Sequence, residues 1–174
     1  MEALAIVHTS DKLMNQLPKK ENLRLSGALN SAVNTHQKKG SPVFYLPYAT
    51  EQGIPQFFGD QGHKNVNRVD TIRPSAKFTF NHLKFQSLMT RVEIAKLCNP
   101  SQKDIHITVG GLWRYACAHS ITSELNRVPD EIDIFLFQQL HPEIDSILLK
   151  TALELKIIAK LDDDLCNKES PIYH

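Results

Sequence analysis

At 174 residues, 41% apolar and 22% charged, the chain has the length and composition of one globular domain with a real core. Its longest apolar runs, such as "IFLF" at 134–137, fall far short of the roughly 20 residues that cross a bilayer. The opening "MEALAIVHTSDKLMNQL" interrupts its apolar stretch with His8, Ser10, Asp11 and Lys12, unlike a secretory leader, and the net charge of +1 is near zero.

In chain order, residues 1–72 are polar and rich in turn formers, and the expectation is a flexible basic and aromatic N-terminal arm, partly docked on the rest. Within it "LRLSGALNSAV" (23–33) is a short helix or loose chain. "VFYLPY" (43–48) reads as extended chain that places aromatic rings between Pro42 and Pro47. Phe44, Tyr45, Tyr48, Phe57 and Phe58 either fold back onto their own domain or dock on a neighbouring copy, and the second is favoured as a self-association surface.

From Arg73 the patterning sharpens into a compact α+β domain over 73–164, a small antiparallel sheet packed with two to four helices, followed by a loose tail over 165–174. The alternations Phe78/Phe80 and Leu83/Phe85 change parity at Asn81-His82, which predicts a strand with a bulge or two strands. Thr90 with Glu93 reads as a capping box for a helix over 91–97, stopped at Asn99-Pro100. "KDIHITV" (103–109) alternates as a strand. A helix from about Gly111 to Leu125 then carries Trp113, Ala116, Cys117, Ile121 and Leu125 on one apolar stripe, so Trp113 and Cys117 are core anchors. "DEIDIFLFQQL" (130–140) reads as a buried strand. The segment after Pro142 reads as a helix to about Leu153 and a strand through Leu155, Ile157, Ala159 and Leu161, with Asp162–Asp164 as a solvated end.

No catalytic signature emerges. Gly110-Gly111 before a helix lacks the remaining residues of either phosphate-loop motif, and no G-x-S-x-G occurs. The Cys and His residues lack the paired spacing of a zinc site, so neither a metal nor a cofactor is expected. Three cysteines, Cys98, Cys117 and Cys166, are odd in number and unpaired in spacing, which points to a reducing compartment.

The charge is unevenly spread: residues 1–127 hold 16 Lys/Arg against 9 Asp/Glu, and residues 128–174 hold 4 against 10. The basic part can meet phosphates or anionic lipid, through Lys19, Lys20, Lys38 and Lys39, unless the two parts lie side by side and cancel.

The succession of a mobile basic arm, the strand "KFTFNHLKFQ", a helix, an aromatic-bearing helix, an apolar strand and the closing "ILLKTALELKIIAKLD" resembles the matrix proteins of rhabdoviruses. Over roughly residues 40–162 it is most similar to those of plant-infecting, cytorhabdovirus-like members. That resemblance implies a non-enzymatic structural protein of the host cytoplasm and virion, peripheral to the membrane. It would self-associate and link viral nucleoprotein to an anionic membrane surface during assembly, using the arm's lysines and aromatic rings. The alternative is a small accessory protein that binds RNA or DNA through Lys77, Lys84, Arg91, Lys96 and Arg114, with Phe78 and Phe80 as a stacking platform.

Overall fold

The structure, a computed structural model, describes residues 1–48, 51, 54–58, 66–69, 82–97, 104–140 and 156–166. Its described strands are β1 (Glu2–Val7), β2 (Val43–Leu46), β3 (Val66–Arg68), β4 (Asp104–Gly111) and β5 (Lys156–Cys166). They form one sheet in the order β3-β2-β1-β4-β5, and every pairing is parallel. The expected antiparallel α+β sheet is therefore replaced by an α/β architecture. Nor is the N-terminal segment a mobile arm, because β1 is the central strand and β2 lies beside it.

The reason lies in the apolar run "ALAIV". Ala3, Ala5 and Val7 face one side of the sheet and Leu4 and Ile6 the other, and all five are fully buried. A strand covered on both faces carries no alternation, which is the mark of a parallel sheet between helical layers. Similarly, in "VFYL" Val43 and Tyr45 enter one apolar cluster, and Phe44 and Leu46 enter the other.

Helices cover both faces. After the short α1 (Asp11–Met14), whose N-cap Ser10 accepts from the Leu13 N–H at 3.3 Å, comes α2 (Lys19–Lys38). It buries Leu25, Leu29 and Val33 against Leu4, Ile6, Val43 and Tyr45. Gly40 ends it with φ at 69°: its N–H bonds to Gln37 O at 3.0 Å and the Ser41 N–H to His36 O at 2.9 Å, the paired bonds of a left-handed C-terminal cap.

The opposite face receives α3 (His82–Leu97) through Ile94, and α4 (His119–Asn126) through Ile121 and Leu125. Between β4 and α4, residues Arg114–Ala118 wind as a π-helical turn, and Trp113 stands before it in extended conformation rather than on a continuous helical stripe. The last described helix is α5 (Glu131–Leu140).

Two expected strands are thus helices. The second part of "KFTFNHLKFQ" opens α3, while Lys77, Phe78 and Phe80 lie outside the described residues. Thr90 is not a cap: it sits inside α3 with its hydroxyl donating to Gln86 O at 2.8 Å, the bond by which threonine is accommodated in a helix. "DEIDIFLFQQL" is a helix because Asp130 caps it, its carboxylate accepting from the Asp133 N–H at 2.8 Å. The Asp133 carboxylate is in turn buried between Lys84 and Arg127. Asp162–Asp164, expected to close an element, lie within β5. So do Leu165 and Cys166, expected to open the loose tail, while the expected helix before β5 and residues 167–174 lie outside the described residues.

At the end of β4, Gly111 adopts φ of 115° directly against β1. A Cβ there would lie 2.3 Å from Val7 O and 2.8 Å from Val7 N, both backbone atoms that cannot turn aside. Gly111→Ala is expected to lower stability by about 3 kcal/mol or more, read as the shift of a urea unfolding midpoint, because it adds overlap to a backbone conformation that L-residues avoid.

Candidate functional site

In an open parallel sheet, ligands bind beyond the carboxyl ends of the strands, at the point where the order reverses direction. Here the chain runs outward from β1 through β2 to β3 and then returns to β4 on the other side, so that point lies between β1 and β4. The residues that leave these strands are His8, Thr9 and Ser10 after β1, Pro47 and Tyr48 after β2, and Leu112 and Trp113, joined by a cis peptide, after β4.

His8 is the centre of this group. It is fully buried and its φ is 52°, the only positive value of a non-glycine residue among those described. Its N–H bonds to Leu46 O at 2.9 Å, in continuation of the ladder between β1 and β2. The ring lies against Tyr48, centroids 5.2 Å apart and edge-on, and against His82 of α3 at 5.4 Å. Its Nε2 is 3.1 Å from Gln86 Oε1, and the Gln86 amide donates to Pro47 O at 2.6 Å.

Burial pushes the His8 imidazole down to about 4, against the smaller upward pull of the Gln86 bond, and His82 is lowered by burial as well. Both rings are neutral at pH 7. At this end of the sheet four buried polar atoms have no hydrogen-bond partner among the described residues: His8 Nδ1, Thr9 Oγ1, His82 Nε2 and Trp113 Nε1. Buried polar groups cost stability when left unpaired, and such groups collect where a ligand completes the bonding.

Tyr48, 44% exposed, also forms one wall of a cleft of about 290 Å³ bounded by Asp11, Lys12, Gln16, Glu51 and Ile54. Glu51 accepts from the Tyr45 hydroxyl and, at 3.0 Å, from the Tyr48 N–H, and burial raises its carboxyl above the usual range. The cleft therefore has one wall that touches His8. Cys117 lies in the helical turn after Trp113, half-buried, and burial raises its thiol so that it is protonated at neutral pH. Among the described residues no three His, Cys, Asp or Glu side chains group as a metal site.

The residues singled out in the sequence fall elsewhere. Phe44 and Tyr45 are fully buried on opposite faces of the sheet, Phe58 packs edge-on to Tyr45 at 5.6 Å, and Phe57 is half-buried beside it. They share no exposed surface, and of the five only Tyr48 borders the candidate site. Lys19 and Lys20 begin α2 while Lys38 and Lys39 end it, roughly 28 Å away at 1.5 Å per residue, and Lys39 is paired with Glu2 at 3.0 Å. Trp113 is 8% exposed and packs with Leu112 and Ile6, and Cys117 touches both apolar clusters.

Of the cations proposed for nucleic acid, the described ones are engaged as well. Lys84 pairs with Asp133, Arg91 turns inward to Glu124 O and Leu125 O, Lys96 pairs with Glu93 at 2.7 Å, and Arg114 stacks over Tyr115. Missed altogether were His8, His82 and Gln86. The signal available for the first was its position as the polar residue that ends a fully apolar strand.

His8 also sets a pH dependence. The unfolded chain takes up the proton near the ordinary value of 6.5 and the folded chain only near 4, so the unfolded state binds more protons in that window and stability falls as pH falls. The loss is expected to reach about 3 kcal/mol by pH 4, with His82 adding in the same sense. His8→Asn, which tolerates the left-handed backbone, should flatten urea midpoints measured from pH 7 to pH 4. Unchanged slopes would show that His8 is not held neutral.

No protein-family model and no curated protein matches the sequence. Among solved structures the chain is similar to the crystal structure of N-carbamoylsarcosine amidase from Thermoplasma acidophilum, with a TM-score of 0.46 and 12% identity over 93% of this chain and 96% of that one. The matrix-type assignment, and with it the non-enzymatic role it implied, is corrected by the fold itself: two of its strands are helices, its mobile arm is the centre of the sheet, and the sheet is parallel. The nucleoprotein, membrane, RNA and self-association partners lose the ground that the resemblance gave them. Among the described residues no helix is long and apolar enough to cross a membrane.

Proposed function

We propose that the protein is an enzyme that acts on a small polar molecule held beyond the carboxyl ends of β1 and β4, with the neutral His8 imidazole as its acid–base group. One observation carries this: a fully buried histidine in a left-handed conformation, with one ring nitrogen unpartnered among the described residues, at the place in a parallel sheet where ligands bind. A structural histidine in a core has no need of a strained backbone or a bare nitrogen. A group that accepts a proton must be uncharged beforehand, and burial keeps this imidazole uncharged at neutral pH.

The test is a panel of small amides, hydroxy acids and amino acids, scored first by thermal shift and then by turnover. Removing the acid–base group as His8→Asn should lower turnover of any compound found by about 100-fold or more, with the fold intact by circular dichroism. Binding and turnover undiminished in that variant would overturn the assignment. Cys117→Ser is the companion measurement: its loss of turnover would add a covalent step at the thiol, and its retention would leave proton transfer at His8 as the chemistry.

A further inference from the structure

We infer that Gln86 is a positioning residue that locks His8 in one tautomer, proton on Nε2 and lone pair on Nδ1, so that any ligand meeting this ring must present a hydrogen-bond donor. The inference rests on the site proposed above, but its first half concerns the protein alone.

The geometry fixes each step. The Pro47 carbonyl can only accept, and it stands 2.6 Å from one end of the Gln86 amide, so that end is the NH₂; the reverse orientation would set two acceptor oxygens against each other. The carbonyl end, Oε1, then faces His8 Nε2 at 3.1 Å, and an acceptor there demands that Nε2 carry the proton. A neutral imidazole has one N–H, which leaves Nδ1 a bare acceptor, buried and without a partner among the described residues. Gln86 is itself fully buried within α3, and neither of its two bonds is shared with water-exposed groups. His82, the other titratable ring against His8, has its own Nε2 without a partner among the described residues and supplies no bond to Nδ1.

The consequence is a rule of selection. A ligand amide, hydroxyl or amine that offers N–H or O–H satisfies Nδ1. A ketone, or a carboxylate, would bring one lone pair against another at a buried nitrogen.

The experiment uses the full chain labelled with ¹⁵N, and long-range proton–nitrogen correlation of the histidine rings at pH 7. His8 is expected to show a protonated Nε2 and an unprotonated Nδ1. Gln86→Leu should release the lock and give averaged nitrogen resonances. Gln86→Glu should keep the Nε2 proton while raising the His8 pKa by about 1 or more, because a carboxylate then faces the ring. Should Gln86→Leu fail to fold, the native spectrum and Gln86→Glu decide the matter. A proton on Nδ1 in the native protein, or a Gln86→Leu spectrum identical to it, overturns the lock.

Acetamide and acetone then serve as probes of equal size, one a donor and the other not. Acetamide should shift the His8 Nδ1 resonance with at least about tenfold higher affinity than acetone. Equal responses overturn the donor rule. Response to neither, with the Nε2 tautomer in place, tells against the proposed site while Gln86 keeps its role.

Discussion

The close approach of β4 to β1 at Val7 and Gly111 is the constraint on which the remainder of the molecule depends. The Leu112 N–H reaches Val7 O at 2.9 Å, past a position where no side chain fits, and there both strands leave the sheet. His8 departs at φ of 52° and Gly111 at 115°, so the two chains turn away from each other at the same level. One crosses toward β2 and the other enters the π-helical turn and α4. A crevice between strands requires such a divergence, and here it follows from two backbone conformations that most residues avoid.

That arrangement is costly, and the cost is met by the sheet around it. Buried polar atoms without partners among the described residues, together with a left-handed histidine, remove stability of order a few kcal/mol. Against this stand two apolar layers, each centred on strands whose side chains are fully covered. Farther from the site, the helices α3, α4 and α5 are joined by charge. Arg91 occupies the last carbonyls of α4, and Asp133 of α5 holds Lys84 of α3 together with Arg127. Burial lowers Arg91 to about 10, yet it is still charged at pH 7, where it caps a helix end that would otherwise present bare carbonyls. This network has a structural purpose, and it uses Lys84 and Arg91, two of the basic residues that a view of the sequence alone assigns to nucleic acid.

What the sequence discloses depends on how each element is covered. β4 was legible because Ile105, Ile107 and Val109 alternate with residues that are less buried, and β5 because Ile157 and Leu161 fall on alternate positions. β1 was not, since covering on both faces erases the alternation that marks a strand and leaves a five-residue apolar run that resembles many things. "DEIDIFLF" misleads for the opposite reason: its apolar residues fit a strand, and only the Asp130 cap and the placement of Asp133 among cations decide for a helix. The extended conformation of "VFYLPY" was legible, but not its burial, which depends on β1 lying beside it. Of the site, Tyr48 was singled out as a docking ring and Trp113 and Cys117 as core anchors, none of them as part of a site. His8 comes from the end of β1 and the His82–Gln86 pair from α3, and the two stretches meet only through the parallel topology, so no local pattern could announce them.

The choice of histidine at the end of β1 follows from the same burial. A carboxylate at a fully covered position would be driven to protonate, since its charge would lose hydration with no cation among the described contacts of His8 to replace it. A lysine would be driven to lose its proton for the same reason. Imidazole alone can stay neutral near pH 7 at little cost while still offering a donor on one side and an acceptor on the other. Gln86 and Pro47 take up the donor side, which commits the acceptor to whatever enters the crevice. The strained turn at His8 is what points a group with these properties away from the sheet at the level where the strands part, and a residue in the ordinary extended conformation would have continued along β1 instead.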